Sequence, residues 1–105
     1  MLRVGAFLLV LALLSGCGPR EPLRIGFIGG LSGHVADLGE AGRNGAQIAI
    51  EEINRAGGIK GRQVELIVRD DAQSPEKAIA AANELIAARV EAIIGPLTSA
   101  MAEVV

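Results

Sequence analysis

LRIGFIGGLSG, residues 23–33, decides the fold of this 105-residue chain. Its apolar first half, Leu23 to Ile28, follows Pro22 and ends at two glycines, a pattern typical of a parallel strand buried on both faces. The glycine-rich second half leads into a predicted helix from about Val35 to Ala56. A strand followed by a loop and a helix begins a strand-helix-strand unit, so we predict that a second, parallel strand follows.

The first predicted helix carries small and apolar residues every three or four positions, which indicates one face packed on a sheet. These residues are Leu38, Ala41, Gly45, Ala49, Ile53 and Ala56. Two glycines inside the helix, Gly42 and Gly45, each cost about 1 kcal/mol of helix stability relative to alanine. We expect both to allow a close approach of the helix to the strands.

The same alternation of strands and helices continues along the chain. Its further elements are a strand over Val64 to Arg69, a helix capped by Ser74 with Pro75 in its first turn, a strand over Glu91 to Ile94 and a helix capped by Thr98 or Ser99. This order predicts an α/β fold, a doubly wound parallel sheet with right-handed crossovers and helices on both faces. Because the last helix has no stop signal, we expect residues 23–105 to be the first, truncated part of a larger lobe.

The N-terminus has the pattern of a bacterial lipoprotein signal. Arg3 precedes an apolar stretch that is shorter than the roughly 20 residues needed to span a bilayer. The run Leu14 to Cys17 then places small residues before a cysteine. Processing there would remove residues 1–16 as a signal peptide and leave an acylated Cys17 as a membrane anchor, with residues 17–22 as a linker. A buried cysteine in a short core helix is the alternative interpretation.

Charge and composition argue against nucleic acid as a partner. The chain has ten basic and twelve acidic residues. Since Arg3 is the single charge of the leader, nine basic and twelve acidic residues remain after processing. Phe27 is then the only aromatic side chain. A nucleic-acid-binding protein would show a basic stripe and aromatic stacking platforms, and neither is present.

Catalytic and cofactor motifs are also absent from the sequence. The glycines after the first strand lack the G-x-G-x-x-G spacing of dinucleotide-binding proteins. His34, the single histidine, has no serine-centred elbow motif to work with. Asp70 and Asp71 have no His or Cys beside them, so we expect them to cap a loop rather than to bind a metal. We therefore predict that the protein is not an enzyme and needs no cofactor.

The ligand sites of open parallel sheets lie beyond the carboxyl ends of the strands. Three predicted loops meet that description: Gly29 to Gly33, Asp70 to Ser74, and Gly95 to Ser99. The third combines two hydroxyls with the N–H groups of a helix start, which can hold a carboxylate or another anion without a basic side chain. Thr98 and Ser99 are the candidate residues. The alternative is that one of these hydroxyls only caps the third helix.

Five motifs in this order resemble the start of the branched-chain amino-acid-binding, type 1 periplasmic solute-binding family. They are LSG at 31–33, GRNGAQIAIEEIN at 42–54, AGGIKGR at 56–62, DDAQSPEKA at 70–78 and IIGPLTSA at 93–100. The resemblance implies two α/β lobes that close on an amino acid or a similar small polar metabolite. It also implies an extracytoplasmic receptor, here lipid-anchored to a membrane of the cell envelope, that delivers its ligand to the permease of an ABC importer.

The resemblance assigns roles to individual residues. Ser99 aligns with the hydroxyl that holds the ligand's carboxylate, together with backbone N–H groups. Leu38 lies where some members place an aromatic residue against the ligand, and Gln73 and Thr98 occupy positions that form a disulfide in some members. The candidate ligand-binding residues are therefore Ser32, Leu38, Thr98 and Ser99. Leu38 and the short chain leave two alternatives open, a ligand sensor or activator of cell-wall enzymes with the same lobes, and a truncated remnant.

Overall fold

The computed structural model describes residues 18–105, so the predicted signal peptide and the predicted acylation site at Cys17 lie outside the described residues. Strands and helices alternate, with a single turn of 3-10 helix at Gly33–Val35 before the first α-helix. The elements are β1 (Leu23–Gly29), α1 (Ala36–Arg55), β2 (Val64–Asp70), α2 (Pro75–Ala87), β3 (Ala92–Ile94) and α3 (Ser99–Ala102). Within residues 18–105, each helix is too short or too polar to cross a membrane.

The three strands form one parallel sheet in the order β2-β1-β3. In the central strand, Phe27 pairs with Val68 on one side and with Ile94 on the other. The predicted parallel sheet is confirmed. β1 and β2 each extend one residue further than predicted, and β3 begins one residue later. Because all the strands run in the same direction, the loops that follow them lie along one edge of the sheet.

Helices cover both faces of β1, because neighbouring residues of a strand point to opposite sides of the sheet. A Cβ added at Gly26 would lie 2.7 Å from Leu85 Cδ1 of α2, and one added at Gly42 of α1 would lie 3.4 Å from the Phe27 ring. Ile28, on the Gly26 side, is fully buried in a cluster with Leu85. Full burial of a side chain the size of Phe27 contributes about 1.5–3 kcal/mol. The predicted doubly wound arrangement is confirmed.

The buried face of α1 lies about one residue away from the predicted stripe. Gly39 and Ile50 are buried, whereas Leu38 is 51% exposed and a Cβ added at Gly45 would meet nothing within 4 Å. One residue corresponds to roughly 100° of helix rotation. The prediction was wrong for the stripe residues that are exposed, which are Leu38, Ala41, Gly45, Ala49 and Ala56. The physical reason is the contact at Gly39, where an added Cβ would overlap the Gly30 carbonyl oxygen. Backbone contact through glycine, rather than apolar periodicity, sets the rotation of this helix.

Ser74 and Pro75 begin α2, as the sequence predicted. The Ser74 hydroxyl accepts the N–H of Lys77 at 3.5 Å and donates to Glu76 Oε2 at 2.9 Å, while Pro75 occupies the first helical position. The backbone N–H of Glu76 itself and the Ser74 hydroxyl lower the pKa of the Glu76 carboxyl. α2 therefore starts at a fixed point directly after the loop that follows β2.

Candidate functional site

Three loops meet at the carboxyl edge of the sheet. They follow β1, β2 and β3 and comprise residues 30–32, 71–74 and 95–98. The Asp71 N–H donates to the Gly29 carbonyl at 3.0 Å, which joins the second loop to the end of β1, and the Leu31 N–H of the first loop donates to Asp70 Oδ1. The Thr98 hydroxyl donates to Gln73 Oε1 at 3.1 Å, which joins the third loop to the second. The three predicted loops thus form one connected surface.

Asp70, the last residue of β2, ties the first loop to the second. Its Oδ1 accepts the N–H groups of Leu31 and Ala72, each at 2.8 Å. Desolvation raises the pKa of the Asp70 carboxyl. These two N–H groups, the Ser32 hydroxyl and the charge of Lys77 outweigh desolvation and hold the pKa below its ordinary value. The expected capping role of this aspartate is confirmed, since its ionised form organises the loop.

Asp71 starts a series of hydrogen bonds that ends at Thr98. The side chain of Asp71 is fully buried, and its Oδ1 accepts the Gln73 backbone N–H at 2.8 Å and the Gln73 Nε2 at 3.1 Å. Its second oxygen, Oδ2, is buried with no hydrogen-bond partner among residues 18–105. Because a carboxylate oxygen accepts, Gln73 turns its amide nitrogen toward Asp71 and its amide oxygen toward the Thr98 hydroxyl. The direction of every hydrogen bond in the series is therefore fixed.

The loop after β3 is held from two sides before it reaches Thr98. Gly95 has φ +99°, and a Cβ added there would overlap the Ile28 carbonyl oxygen, so this turn requires glycine. Further along, the end of the Leu97 side chain would lie 2.8 Å from a Cβ added at Gly42, so Leu97 fills the space beside α1. The path of this loop is therefore set by packing against both β1 and α1.

Thr98 and Ser99 stand where this loop enters α3. Thr98 is the N-cap residue, its hydroxyl makes no capping hydrogen bond, and the hydroxyl hydrogen is donated to Gln73. Ser99 is exposed, and among the described residues neither its hydroxyl nor its backbone N–H has a hydrogen-bond partner. Two free donors at one exposed residue can both point to a single anion, and a carboxylate has the acceptors to match them.

The other two candidates lie around the start of α1. Ser32 is exposed in the first loop and precedes the 3-10 turn without capping it. Leu38 is in the first turn of α1 and is 51% exposed. Ser32 belongs to the connected loop surface through Asp70, whereas no hydrogen bond among residues 18–105 links Leu38 to it. A ligand-binding role of these two residues stays a prediction.

Sequence reasoning did not include Gln73 among the site residues. The sequence did hold one clue to its role, because Gln73 and Thr98 align with two residues that form a disulfide in some family members. In the structure these two side chains are in contact through a hydrogen bond. His34 is exposed in the 3-10 turn. Across residues 18–105 there is no group of three or more His, Cys, Asp or Glu side chains placed to hold a metal ion.

Comparison with known proteins gives consistent matches. The periplasmic binding protein family matches residues 22–105. The chain is 42% identical over 80 residues to the Leu/Ile/Val-binding protein BraC3 of Rhizobium johnstonii, an alignment that covers 76% of this chain and 22% of that protein. The chain also resembles the crystal structure of the branched-chain amino acid transporter substrate binding protein LivJ from Streptococcus pneumoniae in complex with isoleucine. That match has 37% identity and a TM-score of 0.76 and covers 79% of this chain and 24% of LivJ.

A further structural match broadens the range of ligands among the relatives. It is a fatty acid ABC transporter substrate-binding protein from Thermomonospora curvata, with 34% identity and a TM-score of 0.75 over 83% of this chain and 23% of that one. The present chain thus spans about a fifth to a quarter of the length of these relatives. The matched range, residues 22–105, is also the range that holds the five sequence motifs.

Proposed function

The chain belongs to the periplasmic binding protein family, and from this premise we propose that it forms the first part of lobe 1 of a lipid-anchored solute-binding receptor. The receptor binds a branched-chain amino acid or a similar small carboxylate on the extracytoplasmic side and delivers it to the permease of an ABC importer. It carries out no chemical reaction. The names of the relatives support this proposal, because they describe Leu/Ile/Val-binding and ABC transporter substrate-binding proteins.

The observation that carries the proposal is the pair of free donors at Ser99. The Ser99 hydroxyl and N–H have no partner among residues 18–105, and they stand at the edge of a parallel sheet where ligands of such folds bind. The preceding residue, Thr98, is held in place through Gln73. A carboxylate placed at Ser99 would receive charge-assisted hydrogen bonds, which are roughly twice as strong as neutral ones.

The chemistry of the ligand follows from what the named relatives have in common. One is a Leu/Ile/Val-binding protein, one is in complex with isoleucine, and one is a fatty acid substrate-binding protein. A carboxylate attached to an aliphatic group is shared by all of these ligands. Ser99 suits the carboxylate, and the exposed Leu38 side chain offers apolar surface at the first turn of α1. We favour a branched-chain amino acid because two of these three relatives are named for such ligands.

The membrane anchor is the second part of the proposal. The motif from Leu14 to Cys17 supports acylation of the cysteine, and each buried methylene of an acyl chain adds about 0.8 kcal/mol of membrane affinity. The intact mass of native protein extracted from membranes tests this directly. We expect loss of residues 1–16 and a mass increase at Cys17 that corresponds to a lipid. An unmodified Cys17 would contradict the anchor and leave the solute-binding proposal standing.

The ligand experiment uses the full-length product of the gene, freed of endogenous ligand by unfolding and refolding. Isothermal titration with leucine is expected to show saturable binding, and leucinamide, which lacks the carboxylate, is expected to bind more weakly. Ser99→Ala should weaken leucine binding by about 1–3 kcal/mol, because a charge-assisted hydrogen bond is lost. Gln47→Ala is the control, since Gln47 lies on the exposed face of α1 outside the three loops and its loss should leave the Kd for leucine unchanged.

The receptor function and the role of Ser99 can each be contradicted by a different result. The receptor function fails if the full-length protein shows no saturable binding of amino acids, their amides or short aliphatic acids. If leucine binds with the same Kd to the wild type and to Ser99→Ala, Ser99 is not part of the site, even though the receptor function holds.

A further inference from the structure

We propose that Gln73 is a positioning residue of the binding edge. The buried Asp71 orients the Gln73 amide, the amide holds the Thr98 hydroxyl, and this fixes the backbone from which Ser99 meets a ligand. The inference rests on the proposed function and deepens it. It gives a positioning role to two side chains, Asp71 and Gln73, that are not among the candidate ligand-binding residues.

The direction of the hydrogen bonds separates the roles of Thr98 and Ser99. A hydroxyl has one hydrogen, and the Thr98 hydroxyl donates its hydrogen to Gln73 Oε1 at 3.1 Å. An ionised carboxylate only accepts hydrogen bonds, so the Thr98 hydroxyl has nothing to donate to it while the bond to Gln73 is intact. Ser99 keeps both its hydroxyl hydrogen and its N–H free among residues 18–105. Thr98 therefore holds the loop, and Ser99 supplies the donors.

The Gln73 amide cannot reverse its orientation without loss. Its nitrogen lies 3.1 Å from Asp71 Oδ1, so a reversed amide would place an oxygen against a buried carboxylate oxygen and leave the Thr98 hydroxyl without its acceptor. The contact between the two oxygens would leave both acceptors without a donor, whereas the Thr98 hydroxyl could still accept from the amide nitrogen. The contact with Asp71 is therefore what fixes the orientation of the amide. Because the orientation of the Gln73 amide is fixed, its oxygen always faces the Thr98 hydroxyl and that hydroxyl acts as the donor.

The backbone of the second loop is built around the same aspartate. Ala72 and Gln73 both have positive φ, +47° and +54°, a conformation that non-glycine residues rarely adopt. The Gln73 N–H donates to Asp71 Oδ1 at 2.8 Å, and the Ser74 N–H donates to the Asp71 carbonyl at 2.9 Å. Asp71 thus holds the loop in the conformation that presents the Gln73 side chain to Thr98.

The experiment compares hydrogen exchange and ligand affinity in the full-length protein. Thr98→Val keeps the shape of the side chain and removes the hydroxyl, and Gln73→Met removes the amide. Both variants should speed amide exchange in a peptide covering residues 95–101 by at least threefold. They should also raise the Kd for leucine about three- to tenfold, the range expected for one lost hydrogen bond.

Three controls separate positioning from a general loss of stability. Thr98→Ser retains the hydroxyl and should restore wild-type exchange and affinity. Gln47→Met makes the same replacement on the exposed face of α1 and should change neither, since within residues 18–105 the Gln47 side chain bonds to Glu51 alone. The double variant of Gln73 and Thr98 should bind leucine no more weakly than Gln73→Met alone, because Thr98→Val removes a hydrogen bond that Gln73→Met has already removed. The Kd ratio of leucinamide to leucine should fall, since only the carboxylate contact is disturbed.

Wild-type exchange rates over residues 95–101 in both Thr98→Val and Gln73→Met would overturn the inference, whether or not a ligand is known. Faster exchange with an unchanged Kd ratio would overturn it as well, because the order of the loop would then not matter for the carboxylate. If Gln73→Met does not fold, Thr98→Val and Thr98→Ser carry the test alone. Failure of the proposed function is distinguishable, because in that case the wild type itself binds no leucine.

Discussion

Asn54 and Val64 exchange two hydrogen bonds through the Asn54 side chain. Nδ2 donates to the Val64 carbonyl at 2.8 Å, and the Val64 N–H donates to Oδ1 at 2.7 Å. The Asn54 amide thus pairs with both the N–H and the carbonyl of Val64, as the backbone of a neighbouring strand would. Asn54 lies in the last turn of α1 and Val64 is the first residue of β2, so this pair fixes where the chain re-enters the sheet.

Asn54→Ala should lower the free energy of unfolding by about 2–3 kcal/mol, because it leaves two partly buried backbone groups without partners. Asn54→Asp keeps the acceptor and loses the donor, so its loss should be smaller. Urea unfolding of the full-length protein measures both. Asn83→Ala, on the exposed face of α2, is the control and should stay within about 0.5 kcal/mol of the wild type. Equal losses for Asn54→Ala and Asn83→Ala would contradict the prediction.

Two glycines of α1 should respond oppositely to alanine. Gly45 has no atom within 4 Å of an added Cβ, so Gly45→Ala should stabilise the protein by about 0.5–1 kcal/mol through helix propensity. At Gly39 the added Cβ would overlap the Gly30 carbonyl oxygen, and Gly39→Ala should therefore destabilise the protein by more than about 2 kcal/mol. Thermal and urea unfolding of the two variants, side by side, check the signs. A stabilising Gly39→Ala would show that the helix does not contact this loop.

The charge of Asp70 should make stability depend on pH. Its folded-state pKa lies below the ordinary value of 3.8, so the unfolded chain binds a proton more readily than the folded one. The stability contributed by the charge is therefore complete above about pH 5, and it is lost as the pH falls through the depressed pKa. Asp70→Asn keeps an oxygen for the N–H groups of Leu31 and Ala72 but removes the charge.

We therefore expect Asp70→Asn to be less stable than the wild type at pH 7 and nearly equal to it in acid, below the pKa of the folded carboxyl. Because the side chain is exposed, screening by solvent should keep the difference small. Urea unfolding of both proteins between pH 7 and about pH 2.5 measures the difference. A difference that stayed constant over this range would mean that the charge of Asp70 contributes nothing.

The strands could be predicted from the sequence because residue types that interrupt strands, such as proline and glycine, mark their ends. Leu23 to Ile28 is apolar except for Arg24 and lies between Pro22 and a glycine pair, and the structure forms β1 there. The start of α2 could be predicted for a similar reason, because Ser74 and Pro75 are a cap and a first-turn residue whose preferences are local. Local preferences of this kind do not depend on the rest of the fold.

The rotation of α1 could not be predicted in the same way. Apolar residues such as Leu38 and Ile48 are 51% and 58% exposed, so the hydrophobic pattern does not mark the buried face. The face is set by Gly39 against the backbone of Gly30, a contact that no hydropathy scale records. The bond between Gln73 and Thr98 was missed as well, because it joins residues 25 positions apart and depends on side-chain orientation.

Arg62 holds the segment that precedes β1, which the sequence predicts to be a linker. Its Nε donates to the Glu21 carbonyl at 2.9 Å and its Nη2 to the Pro22 carbonyl at 3.3 Å. Arg20 adds a hydrogen bond in the other direction, from Nη1 to the Lys60 carbonyl at 2.8 Å. Residues 20–22 are therefore docked at the amino end of the sheet. The loops with Ser99 lie at the carboxyl end, about 20 Å away along a seven-residue strand.

Arg62→Ala should free this segment without disturbing the loops at the other end of the sheet. Trypsin should then cleave after Arg20 faster than in the wild type, because the bond becomes accessible once Glu21 and Pro22 lose their donor. Mass spectrometry of timed digests of the full-length protein measures the rate. Arg55→Ala is the matched control, since Arg55 is exposed in the last turn of α1 and its side chain makes no hydrogen bond within residues 18–105. If both variants are cleaved after Arg20 at the wild-type rate, Arg62 does not hold the segment. Residues 20–22 would then be a flexible linker between the sheet and the proposed lipid at Cys17.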